Sequence, residues 1–172
     1  MVRAASLTIV LLVALASGSM ARAQAPAKPG VQEGVAVKSH HASGTFEVKV
    51  TPLPQDEKVA GLALARYAME KQLKGDLEGT SKAEMMAPVS AVEGSGGAVA
   101  VEQVTGTLGG RSGSFTLLHQ STMRKGAGFD IVIKVVPDSG TGQLAGLAGT
   151  MKIIIADGKH SYEFDYSLPD AH

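Results

Sequence analysis

The chain has no cysteine and no tryptophan, and only 4% of its 172 residues are aromatic. Without cysteine there is no disulfide framework, no thiol nucleophile, no thiolate metal ligand and no lipid-modified cysteine at a processing site. Scarce aromatic rings argue against a stacking platform for sugars or nucleobases. Sixteen Lys and Arg only balance sixteen Asp and Glu, so no basic excess is available to neutralise phosphates, and nucleic acid is not an expected partner. The N-terminal apolar run, Leu7 to Ala16 (LTIVLLVALA), is about ten residues long, short of the roughly 20 needed to span a bilayer.

What is present begins with a targeting signal. Arg3 supplies a positive start, the apolar run follows, and Ala21-Arg22-Ala23 is a small-x-small cleavage site. Residues 1–23 read as a signal peptide, so the product is expected to be exported, periplasmic or secreted, with no stable membrane insertion after cleavage. Loss of Arg3 and Arg22 leaves 14 basic residues against 16 acidic ones. Residues 24–41, rich in Ala, Pro and Gly, read as a flexible leader. Residues 42–172 are long enough for one domain with one core. His40-His41 would be half of a metal site, but His119, His160 and His172 follow at no ligand spacing, so neither a metal nor another cofactor is expected.

Twenty-one glycines indicate many tight turns. Between them, period-two patterns recur. Ala42–Val50 puts Phe46, Val48 and Val50 on one face, and His160–Leu168 does the same with Tyr162, Phe164, Tyr166 and Leu168. Phe129–Val136 is dense in β-branched residues, and Asp157-Gly158 joins Met151–Ala156 to the last strand as a hairpin. Leu77–Ala87 alternates weakly. Leu62–Lys74 is ambiguous: Leu62, Arg66, Met69 and Leu73 recur at helical spacing among helix formers, while Tyr67, Met69 and Leu73 also fit period two. Local pattern favours helix slightly there. Short strands separated by turn signals point to an antiparallel sandwich or closed barrel.

The most informative stretch is Ala98–Ser121 (AVAVEQVTGTLGGRSGSFTLLHQS), two strand-like runs joined at Gly109-Gly110. Such a two-residue turn sets the register, with Leu108 facing Arg111, Val104 facing Phe115 and Ala100 facing His119. One face then carries Ala100, Glu102, Val104, Leu108, Arg111, Phe115, Leu117 and His119, large apolar groups together with a carboxylate and an imidazole.

Several segments together resemble a bacterial domain family of unknown function that groups with the allene oxide cyclase-like and dirigent-like barrels. They are Gly44-Thr45-Phe46-Glu47-Val48, Gly75-Asp76-Leu77-Glu78-Gly79, the run from Glu102 through Phe115 ending at His119, Val136-Pro137, and Ser139 to Gly149. The likeness spans roughly Ala42 to Leu168. It implies an all-β fold, a single closed antiparallel eight-stranded barrel, and it turns Leu62–Lys74 from helix to strand. It implies no established activity. Relatives in the wider group cyclise an apolar substrate in the lumen, but none of their catalytic residues has a counterpart here, so a cyclase reading rests on fold analogy.

A barrel of eight strands leaves a lumen wide enough for side chains or one small ligand. Glu102 and His119, diagonal neighbours roughly 5 to 8 Å apart, are the leading candidates, as an acid–base pair, as ligand contacts, as an internal pair that only satisfies buried polarity, or, with this face of the hairpin turned outward, as surface residues. Phe115 and Arg111 share their face, and Tyr166 is core or lumen wall. Met69, Met85 and Met86 are either core or the lining of an adaptable pocket. The glycine-rich runs lack dinucleotide and phosphate-loop spacing and read as turns. No nucleophile elbow is present. Three readings stay open: an exported binder of a small, mainly apolar ligand; an isomerase or cyclase using Glu102 and His119; and a structural homo-oligomer with a filled interior.

Overall fold

Eight of the alternating segments become strands, and together they close on themselves. The computed structural model describes residues 38–54, 63–88 and 90–169. The expected signal peptide, residues 24–37 of the leader and His172 lie outside the described residues. The strands are β1 (Ser39–Leu53), β2 (Leu64–Gly75), β3 (Leu77–Pro88), β4 (Gly96–Leu108), β5 (Arg111–Met123), β6 (Phe129–Val135), β7 (Ala148–Ala156) and β8 (Lys159–Ser167). Each pairs antiparallel with the next, and β8 returns to β1 to complete a closed barrel. Closure removes both sheet edges, which would otherwise expose unpaired backbone groups. One turn of 3-10 helix at Gly142–Leu144 is the only helical element among the described residues.

The helical leaning of Leu62–Lys74 gives way to β2. That strand is bonded on both sides, to β1 from Gly44↔Gly75 to Leu53↔Arg66 and to β3 from Leu64↔Pro88 to Leu73↔Gly79. Two full ladders outweigh side-chain propensities worth a few tenths of a kcal/mol each. The central hairpin has the expected register, Leu108↔Arg111, Val104↔Phe115 and Ala100↔His119. Its turn residues Gly109 and Gly110 both have positive φ, 57° and 81°. β1 begins at Ser39, so His40 and His41 belong to the strand rather than to the leader. His40 stacks on Tyr166 with ring centroids 5.2 Å apart, and His41 Nδ1 lies 2.8 Å from Asp165 Oδ1 across the β1–β8 seam.

The two ends of the barrel differ. At the end of the Gly75-Asp76 and Gly109-Gly110 turns, Leu77, Leu108, Phe115, Leu144, Leu147 and Phe164 are all 1% exposed or less. Phe164 is stacked between Phe115 and Tyr166, at centroid distances of 5.9 and 5.3 Å. Burial of this set contributes on the order of 1.5–3 kcal/mol per large side chain. The glycine-rich segment between β6 and β7 completes this end. β6 pairs with β5 only from Leu117↔Val135 to Met123↔Phe129, so the first part of β5, from Arg111 to Thr116, has no strand on that side. The connecting segment takes that place. Val136 and Thr141 donate backbone N–H groups to the carbonyls of Thr116 and Ser114 at 2.9 and 2.8 Å. Side chains of Ser139, Thr141 and Gln143 accept from the N–H groups of Thr116, Ser114 and Ser112. The small polar composition of this segment thus satisfies a strand edge, while Leu144 and Leu147 plug the barrel.

Close backbone approach explains another pair of glycines. Gly79 and Gly106 face each other across β3 and β4. A Cβ on Gly106 would lie 2.9 Å from the Gly79 Cα and overlap the Glu78 carbonyl oxygen, whereas a Cβ on Gly96 would meet nothing within 4 Å. Gly106→Ala should therefore lower stability by about 2 kcal/mol through overpacking, and Gly96→Ala should leave it within about 0.5 kcal/mol or raise it slightly. Urea unfolding of the two variants checks this; equal midpoints would remove the steric explanation.

Candidate functional site

Polar side chains on four adjacent strands converge inside the barrel. Alternation points Lys71 of β2, Ser81 of β3, Glu102 of β4 and His119 of β5 inward, and they are only 8%, 3%, 1% and 7% exposed. Lys71 and Ser81 are direct register partners, and His119 faces Ala100, two residues from Glu102. Lys71 Nζ donates to Glu102 Oε2 at 2.7 Å, and the Ser81 hydroxyl donates to Oε1. His119 Nε2 comes within 2.7 Å of Oε2 but off the direction of a hydrogen bond, a close electrostatic contact that leaves this buried nitrogen without a hydrogen-bond partner.

The balance of forces keeps Glu102 charged. Burial alone would raise its pKa, but contact with His119, the Lys71 charge and hydrogen bond, and the Ser81 hydroxyl outweigh that and bring it down to about 2. Both of its oxygens are engaged, so it is a poor proton acceptor at neutral pH. The Lys71 ammonium also sits 5.0 Å from the centroid of the Phe46 ring, a cation–π contact.

On the side of the cluster away from the packed end lies a recess of about 180 Å³. Its walls are apolar, with Phe46, Val48, Met69, Met85, Ile131 and Ile153 among them, and its polar lining comes from Lys71, His119, Ser121 and His160. Glu102 does not line it. The mouth includes inward positions that are well exposed, Val50, Phe129 and Ile155. Two larger hollows, about 470 and 450 Å³, are grooves on the barrel wall that include outward-facing Glu47 and Gln72. The buried cluster points its charged groups inward, so the recess is the candidate site. Among the described residues no group of three His, Cys, Asp or Glu side chains is arranged to hold a metal ion.

The residues singled out from the sequence separate into two groups. Glu102 and His119 meet as the register requires. Phe115 and Tyr166 lie in the packed half, and Arg111, at the turn-side rim, donates from Nη1 to the Pro169 carbonyl at 2.6 Å. None of these three lines the recess. Of the methionines, Met69 and Met85 line it and Met86 is exposed on the outside. Sequence reasoning missed Lys71, Ser81 and His160. The signal existed: once β2 is a strand, Lys71 shares its face with Met69 and Leu73, and Ser81 shares its face with Leu77.

A depressed carboxylate pKa has a definite sign. Because the folded value is below the ordinary 4.5, Glu102 adds stability that is fully present above that value and is lost as pH falls from about 4.5 toward 2. The shift corresponds to about 3 kcal/mol. Glu102→Gln should cost about that much at pH 7, with the gap to the parent closing below pH 4.5, as measured by denaturant unfolding across pH; a constant gap would show that the charge is not responsible.

Comparison with known proteins follows the same architecture. Residues 42–166 match the model of a family described as "Protein of unknown function (DUF3224)". A search of curated proteins found no match. Among solved structures, a protein of unknown function from the DUF3224 family of Shewanella oneidensis MR-1 is 42% identical, with a TM-score of 0.69 over 77% of this chain and all of that one. With a family match over most of its length and a solved relative of the same family, this chain belongs to the DUF3224 family.

Proposed function

We propose that this protein is an exported carrier or sensor barrel that binds a small, mainly apolar molecule in its interior recess. The observation that carries the reading is the recess itself: about 180 Å³, walled by aliphatic, Phe and Met side chains, with its few polar groups gathered at the buried cluster. Binding sites of this kind are concave and mostly apolar, with a small number of placed polar groups. An apolar cavity of about 150 Å³ is already large enough for one benzene ring. Export is supported by Arg3, the Leu7–Ala16 run and the Ala21–Ala23 site.

Geometry favours binding over the isomerase reading. Glu102 is held as a carboxylate with both oxygens occupied and does not line the recess, which leaves His119 as the one member of the pair that meets a ligand. The Glu102–His119 pair therefore does not present two free acid–base groups to a molecule in the recess.

The test is an amide NMR titration of the full chain with toluene. Shifts clustered at Val48, Met69, Ala100 and Ile153 are expected. Ala98→Phe, which puts a ring into the recess, should weaken binding at least tenfold while leaving the unfolding midpoint nearly unchanged. Shifts spread over the outer wall, or none, would reject the interior site.

A further inference from the structure

The composition of the recess lining says more about its occupant than its apolar walls do. Three basic side chains reach it, Lys71, His119 and His160, and no acidic one. The nearest carboxylate, Glu102, is set behind them with its oxygens occupied. Of the three protons on the Lys71 ammonium, one is used, in the bond to Glu102, so two are free to be donated. His119 Nε2, on a side chain more than nine-tenths buried, lies 2.7 Å from Glu102 Oε2 but out of line with it, and it has no other polar partner among the described residues. Buried polar groups in folded proteins normally find partners, and exceptions call for an explanation.

Resting on the interior binding site proposed above, we propose that the occupant is a carboxylic acid bound as its anion: an apolar body about the size of one aromatic ring between the walls of the recess, and a carboxylate against Lys71 and His119. The charge count supports this. With His119 neutral, Lys71 and Glu102 cancel, and the floor of the recess carries no net charge. A ligand carboxylate adds one negative charge within reach of the Lys71 ammonium and the imidazoles of His119 and His160. A singly charged head needs one further cation beside Lys71 and Glu102, and a doubly charged phosphate needs two, so the single charge is the easier to bury. The titratable or charged groups facing His119 are Glu102 from β4, Lys71 from β2 and His160 from β8; β6 presents only Ile131 and Ile133. His160 lines the recess near its mouth, partnered across the strands by Phe46 and Ile155, and adds a second site for positive charge on the path inward.

The experiment is calorimetric titration of the full chain with toluene, benzamide, benzoate and phenyl phosphate, at pH 6 and pH 8. Benzoate stays ionised over that range, so any pH dependence reports the protein. At pH 6 benzoate should bind at least tenfold more tightly than benzamide, which has the same shape without the charge, and the gap should be narrower at pH 8, where imidazoles in general carry less charge. The double variant Lys71→Met, Glu102→Gln leaves no buried carboxylate unpaired; it should weaken benzoate severalfold and narrow its lead over benzamide, with His119 and His160 still present, while keeping toluene. His160→Gln, at a half-buried position near the mouth, should weaken benzoate severalfold and leave toluene unchanged, and carries the test if the double variant fails to fold. Equal binding of benzoate and benzamide in the parent protein, with toluene bound, would overturn the carboxylate assignment and leave the apolar recess standing. Phenyl phosphate binding more tightly than benzoate would also overturn it. Binding of none of the four would overturn both the assignment and the site.

Discussion

A carboxylate in the middle of an apolar barrel is the constraint from which much else follows. Glu102 is 1% exposed, and a lone charge at that depth would cost several kcal/mol. It is tolerated because three neighbouring strands each deliver a partner, Lys71 from β2, Ser81 from β3 and His119 from β5. A one-residue slip in any of the pairings β2–β3, β3–β4 or β4–β5 would turn a partner out to solvent and leave the charge exposed to the core. The cluster therefore couples the registers of half the barrel. A buried ion pair of this kind is weak as a source of net stability and better suited to selecting one arrangement over its neighbours.

The barrel spends its large side chains unevenly. Phe115, Phe164, Tyr166, Leu77, Leu108, Leu144 and Leu147 fill one half. The other half mixes Phe46, Ile131 and Ile153 with the smaller or slender Ala98, Ala100, Val48, Met69 and Met85, and stays partly empty. The polar cluster lies between the two, neither buried in a fully packed core nor open to bulk water. That position leaves Lys71 and His119 desolvated and still facing the recess, the setting in which a charge-assisted hydrogen bond is strongest.

Much of this could be read from residues alone where the signals were local. The Gly109-Gly110 turn specified the central register, and from it the shared face of Glu102 and His119, because a two-glycine hairpin allows few alternatives. Leu62–Lys74 was harder. Its residues are helix formers, and the resemblance to a barrel family, not the local pattern, turned the reading to strand; while it read as helix, Lys71 had no face and could not be linked to Glu102. Arg111 and Tyr166 share the inward faces but sit too near the closed end to meet the recess, a matter of depth along the barrel that period-two alternation does not encode. Alternation also blurs on the outer wall, where Val99, Val101, Leu118 and Val132 are exposed apolar residues.

By itself, then, the order of residues determined the strand pattern, the turns and which side chains share a face, since these depend on backbone sterics and short-range periodicity. Tertiary structure decided which groups at distant positions meet. The salt bridge between Lys71 and Glu102 spans 31 residues of chain, and Gln143 in the Gly142–Leu144 plug reaches Ser112, also 31 residues earlier. The registers of the strand pairings in between set those distances, β2–β3 and β3–β4 for the ion pair and β5–β6 for the plug.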